Sequence, residues 1–122
     1  MTPAIDVFEE LHDLMHLYRG RMMAACLAVS DLTFNETRVL MRIGKLPGLT
    51  QKDLVAHSHT DKAQMARMLS QLQDQGWLAR TASEQDKRVR CLQLSAKGQT
   101  LFQALKRQRE AVAQAVMHDK PR

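Results

Sequence analysis

The chain has 122 residues and a mass of 13.9 kDa, with 44% hydrophobic and 25% charged side chains. That is one ordinary globular domain's worth of sequence and not a disordered or low-complexity chain. The formal net charge of +5 and pI near 9.6 allow a polyanionic partner, while an aromatic content of 4% argues against a stacking platform for single-stranded nucleic acid.

No apolar run approaches the roughly 18 residues of a membrane span. The acidic start lacks the basic stretch of a secretory signal, and Cys26 and Cys91 are too few for a disulfide framework. The expectation is a cytoplasmic protein with two reduced thiols and no membrane contact. Residues 1–35 hold two basic against five acidic side chains, so a polyanion should meet the middle or the end of the chain.

In chain order, residues 4–29 contain no proline, and Phe8, Leu11, Met15, Tyr18, Met22, Ala25 and Val29 recur at spacings of three and four. This is one helical stripe with a near-heptad period, widened by Val7, Leu14 and Leu17. It suits a core helix or a helix that also pairs with a second subunit. Thr33 and Glu36 form a capping-box pattern ahead of a helix carrying Val39, Leu40, Ile43 and Leu46, which Pro47-Gly48 ends.

Thr50 predicts the cap of a short helix from Gln51 to about Ser58. Asp61, or Thr60 before it, predicts the cap of another running to about Gln75. That second helix has Met65, Met68, Leu69 and Leu72 on its inner face, with Lys62, Gln64, Arg67, Ser70, Gln71 and Asp74 outside. Gly76 fits the left-handed position after its end. The period then changes. Trp77 to Ser83 and Val89 to Ser95 read as two strands around the polar turn 84–88. Ser95 or Ala96 opens a last helix with Leu101, Phe102, Leu105, Val112 and Val116 as its stripe.

Three short helices followed by a hairpin with a basic tip form a winged helix-turn-helix, mainly α with a two-stranded β wing. In that arrangement residues 61–75 would enter a DNA major groove. Lys62, Gln64, Arg67 and Gln71 are long hydrogen-bonding groups on the outer face, and the one acid of the first turns, Asp61, sits at the cap.

The sequence resembles the multiple-antibiotic-resistance-regulator (MarR) family of bacterial transcription factors. The matching residues are Leu32-Thr33, Val39-Leu40, Leu49-Thr50-Gln51 with Asp53-Leu54, then Asp61 with Met65 and Arg67, and Leu72 with Gly76. Arg80, Asp86-Lys87-Arg88 and Leu94-Ser95-Ala96-Lys97-Gly98 complete the pattern, which spans roughly residues 32–105.

The resemblance implies that Arg88 enters a minor groove, whose narrowing concentrates negative potential, and that Asp86 holds that arginine by a charge-assisted hydrogen bond. It places Lys62, Ala63, Gln64 and Arg67 against bases or phosphates. Gln64 is the best base reader, since an amide can pair bidentately with adenine. Lys62 and Arg67 suit phosphates, and Gln71, Lys87 and Arg90 complete the expected DNA-facing set.

The resemblance also implies a homodimer on a near-palindromic double-stranded operator. The family pattern continues into a further acidic, leucine-rich helix, whereas this chain ends at Arg122. The first helix (4–29) and the last (96–119, chiefly 99–117) are therefore expected to form the interface around a winged helix-turn-helix at 33–95, within one domain, 1–122.

Other constellations weigh less. His12 and His16, spaced i and i+4 around Asp13, approximate a zinc-protease motif with a carboxylate one methylene short, and no third ligand is apparent. The expectation is an exposed pair and no metal. His57 and His59 decorate a turn or touch phosphate. No phosphate-cradling glycine loop or Ser-His-Asp set appears, so neither an enzyme nor a cofactor is expected.

Cys26 is the better placed of the two cysteines for oxidant sensing, yet no neighbouring cation lowers its pKa; a buried inert thiol is expected. Met15, Met22, Met23 and Met65 would suit an adaptable pocket for a small aromatic effector, or ordinary core filling. The function read from this sequence is a sequence-specific DNA-binding regulator, a repressor released by a small ligand or oxidant. The alternative is an interaction module that heterodimerises with and inhibits a full-length relative.

Overall fold

Seven elements follow one another in the computed structural model, which describes residues 2–83, 85–86 and 88–118. They are α1 (Pro3–Val29), α2 (Phe34–Lys45), α3 (Gln51–Ala56), α4 (Lys62–Asp74), β1 (Leu78–Ala82), β2 (Arg90–Leu94) and α5 (Ala96–His118). This is a winged helix-turn-helix carried between two long helices, α1 and α5, which pack against each other.

Local capping chemistry sets the helix starts. Thr33 Oγ1 accepts from the Glu36 N–H at 3.1 Å, and the Glu36 carboxylate accepts from the Thr33 N–H at 3.0 Å. Thr50 and Asp53 repeat this reciprocal box at the head of α3, and Asp61 alone caps α4 by accepting from the Gln64 N–H at 2.7 Å. Each arrangement satisfies donors that a helix N-terminus otherwise leaves open. Two boundaries are shorter than the sequence pattern predicts. Helix α2 stops at Lys45, with Leu46 outside it and 40% exposed. Helix α3 stops at Ala56, because the chain turns at His57 into the Ser58–Thr60 bend.

The strands pair antiparallel from Leu78↔Leu94 to Ala82↔Arg90. Each strand is one residue shorter at each end than the sequence pattern predicts; Trp77 and Ser83 lie outside β1, and Val89 and Ser95 outside β2. A third rung is invisible to strand patterning. Thr50 bridges to Cys91, Leu92 donates to the Leu49 carbonyl at 2.7 Å, and Gly48 donates to the Leu92 carbonyl at 3.1 Å. The wing is thereby tied to the loop between α2 and α3.

The core gathers Leu40 and Ile43 of α2, Leu54 of α3, Met65, Leu69 and Leu72 of α4, Leu92 of β2, and Leu101 and Leu105 of α5. The stripe of α1 divides. Met22 and Cys26 are buried in this core and Tyr18 packs against it, whereas Phe8 is 70% exposed and Leu11 and Met15 about half exposed. Only the second half of α1 has a neighbour to bury it, so the plain core-helix expectation fails for the first half.

The junction between β2 and α5 holds the far end of α4. Ser95 Oγ donates to the Gly76 carbonyl and accepts from the Gly98 N–H, and Lys97 Nζ donates to the Gln75 carbonyl at 2.8 Å while lying 4.0 Å from the Trp77 ring centroid. An ammonium group here meets the negative end of the α4 dipole. Gly76 has φ +84°, the conformation that closes α4. A Cβ on Gly98 would collide with the Trp77 carbonyl oxygen, so the Leu94-to-Gly98 pattern answers to a close backbone approach.

Candidate nucleic-acid interface

Helix α4 is bound to the core by its inner face. Met65, Met68, Leu69 and Leu72 are all buried, which leaves Lys62, Ala63, Gln64, Arg67 and Gln71 exposed on the opposite side. Gln64, Arg67 and Gln71 follow one another at three and four residues, so they share one face, while Lys62 and Ala63 stand at its leading end. A helix of thirteen residues is about 20 Å long at 1.5 Å per residue, and an exposed helix of this kind fits the width of a major groove. Apart from the cap, Asp61, no acidic side chain lies in its first turn.

The wing places its cation differently. Ser83 donates its N–H to the Val89 carbonyl at 2.8 Å and receives the N–H groups of Gln85 and Asp86 on its hydroxyl. That folds Asp86 back beside Arg88, whose backbone N–H donates to the Asp86 carboxylate at 3.0 Å and whose Nε donates at 3.3 Å. These two bonds, the backbone one first, hold the Asp86 carboxyl below the usual carboxylate range. The Arg88 side chain is 90% exposed and so projects from the tip while held at its base. Arg90 is exposed at the start of β2. Lys87, expected with this group, lies outside the described residues, as does Glu84.

Residues 32–89 match the MarR family model. The chain belongs to the MarR family. Among its relatives is the HTH-type transcriptional regulator BilQ of Clostridium symbiosum, 38% identical over half of this chain and 42% of BilQ. The uncharacterised HTH-type transcriptional regulator YybA of Bacillus subtilis is 31% identical over 66% of this chain and 53% of YybA. The matches thus span about half the length of these curated relatives.

The fold is similar to that of Streptococcus pneumoniae FabT in a complex with DNA, with a TM-score of 0.69 and 26% identity over 75% of this chain and 64% of FabT. It is also similar to the Mycobacterium tuberculosis MarR family protein Rv2887 bound to salicylic acid. There the TM-score is 0.71 and the identity 27%, over 88% of this chain and 79% of Rv2887.

In this MarR-family chain a cleft of about 720 Å³ lies behind α4, between α1, α2, the α3–α4 turn and α5. Met22 and Met65 line it, as an adaptable pocket would need. Met15 and Met23 do not; they are 52% and 45% exposed, Met15 in the uncovered first half of α1 and Met23 in the second half, next to the buried Met22 but outside the cleft. Sequence patterning also missed the cleft's cations Arg38, Arg42, Lys45 and Arg109. The signal was present as an i, i+4, i+7 spacing in α2, but without the fold it resembles any solvated face.

Cys26 is 1% exposed in this wall, and burial pushes its thiol up, offset in part by a hydrogen bond with Thr37. A thiol so placed holds little thiolate. His12 and His16 are exposed on α1, and among the described residues no group of three or more His, Cys, Asp or Glu side chains could hold a metal. No described helix is long and apolar enough to cross a membrane.

Proposed function

We propose that this protein is a bacterial, cytoplasmic transcriptional regulator that binds double-stranded operator DNA and represses by occupying it. The observation that carries the reading is an exposed polar and basic α4 face, Lys62, Gln64, Arg67 and Gln71, set beside a wing whose Arg88 is oriented by Asp86. In this reading α4 lies in the major groove, where Gln64 reads a base edge and Lys62 and Arg67 neutralise phosphates. Ala63, small and exposed, lets the helix end approach the base edges. Arg88, with Lys87 and Arg90 nearby, enters the adjacent minor groove.

Two α4 helices on one duplex require a homodimer and a near-palindromic site. The exposed apolar first half of α1, with Ile5, Phe8, Leu11 and Met15, together with Met117 of α5, favours that assembly, since such a surface is costly to leave in water. The cleft behind α4 supports release by a small ligand. The buried, up-shifted Cys26 thiol makes a ligand the better candidate than an oxidant.

Selection of bound duplexes from random DNA tests this reading. A half-site repeated about one helical turn apart is the expected outcome. With around six phosphate contacts, affinity should fall with salt at a log–log slope near −5. Gln64→Ala should change the preferred base at one position in each half-site. Absence of duplex binding at low salt would overturn the proposal.

A further inference from the structure

We infer that His12, Met15 and His16, on the exposed half of α1, form a site for a soft monovalent metal ion, cuprous copper, with two imidazoles and a thioether as ligands. The site lies apart from the DNA-facing surface and does not depend on that reading.

The three donors share one side of the helix. His12, Met15 and His16 stand at i, i+3 and i+4, so the second and third both lie one turn beyond the first. Helical side chains lean toward the N-terminus, which brings Met15 and His16 over the turn that carries His12. All three are exposed, Met15 by 52%. Among the described residues neither imidazole takes a hydrogen bond or an ion pair, so both have ring nitrogens to offer. His, Cys, Asp and Glu side chains alone gather no group of three there. The thioether of Met15 supplies the third donor.

The acids of this stretch repeat in step with the imidazoles. Glu9 precedes His12 by three residues, and Asp13 precedes His16 by three. An imidazole that ligates through one nitrogen thus has a carboxylate within reach of its other N–H, a partner that fixes the ring and strengthens it as a ligand. Between residues 9 and 19, Glu9, Glu10 and Asp13 face a single cationic side chain, Arg19, so the local charge favours a positive ion.

The third donor decides which ion. Thioether sulfur is a soft ligand and selects copper(I) over zinc(II) and harder dications. The flank of the site is apolar. Phe8, one turn before His12, is 70% exposed and lines a shallow groove of about 360 Å³ with it and with Ile5. Apolar neighbours penalise a charge taken out of water, and the penalty grows steeply with that charge, so a monovalent ion suits this flank better than a divalent one. Met15 also belongs to the apolar face of α1 that favours assembly with a second copy, so ion binding and assembly draw on one side chain and are linked.

Methionine-methyl and histidine-ring NMR of the full chain, titrated with silver(I) as a redox-inert stand-in for copper(I), reads the site directly. One equivalent should move the Met15 methyl resonance, identified by its loss in Met15→Leu, together with the ring signals of His12 and His16. Zinc(II) should leave that methyl in place. Copper(I) affinity is measured without oxygen, in competition with a chromophoric chelator. Met15→Leu, which conserves apolar volume, His12→Gln and His16→Gln should each weaken it at least about tenfold, with thermal transitions unchanged at these exposed positions. Cys91→Ser should leave it intact, since Cys26 is 1% exposed and neither thiol belongs to the site. A still Met15 methyl, a Met15→Leu chain that binds copper(I) as well as the parent, or binding that Cys91→Ser abolishes would overturn the inference.

Discussion

Helix α4 and the β1–β2 wing both offer cations to solvent, and they are held in opposite ways. Four buried side chains anchor α4 to the core, Asp61 caps its start, and Ser95 and Lys97 tie down its end. The wing tip is ordered by a serine hydroxyl and one exposed acid–arginine pair, and only its base is joined to the body through Thr50 and Cys91. Buried apolar area fixes α4 against the core. An exposed pair contributes little to folding, so on the proposed reading the wing's order would matter for binding more than for stability. On the proposed reading, the first region would couple DNA reading to the fold, and the second would change its reading without disturbing the fold.

The largest expected effect is on the rigid side of this comparison. Leu69 is fully buried under α4, and Leu69→Ala should cost about 2–5 kcal/mol of stability, read by denaturant unfolding. A loss below about 1 kcal/mol would mean that α4 is not anchored through its apolar face. Arg88→Ala should leave unfolding unchanged and weaken operator binding by about 1–3 kcal/mol. An equal fall in stability would erase the contrast between the two regions. Asp61→Ala should destabilise by about 1 kcal/mol through loss of the cap, and the thermal transition of the free protein reports it.

The smallest effect is expected at Asp86. Asp86→Asn should lower DNA affinity less than Arg88→Ala does and leave the melting temperature unchanged. Its pH dependence has a definite sign. The folded carboxyl is held below its ordinary range, so its bonds to Arg88 persist at neutral and mildly acidic pH. They are lost only as pH falls through that depressed value. Operator affinity measured from about pH 8 to pH 5 should therefore show no step that Asp86→Asn removes; such a step would show that the pair is not formed in the free wing.

Much of the fold was legible because its signals are local. The box at Thr33, the caps at Thr50 and Asp61 and the left-handed Gly76 each depend on residues a few positions apart, and all four are present, Thr50 as a full box with Asp53. The inner face of α4 was equally legible, since Met65, Met68, Leu69 and Leu72 share one side of any helix that they form. The α1 stripe was not, because a period shows which residues share a face and leaves open whether anything covers it. Phe8 and Met22 are equivalent in the pattern, yet one lies in water and the other in the core.

By itself, then, the sequence determined where helices begin and which side of each is apolar, because hydrogen bonds and helical period act within a few residues; the meeting of Asp86 and Arg88 at the wing tip followed from the family resemblance. Tertiary structure alone decided that the Leu49–Thr50 loop joins the wing through Cys91, that α1 is covered along only half its length, and that Arg38, Arg42 and Lys45 enclose a cleft with Arg109. Each of those outcomes depends on surfaces brought together from distant parts of the chain, where packing chooses the neighbour.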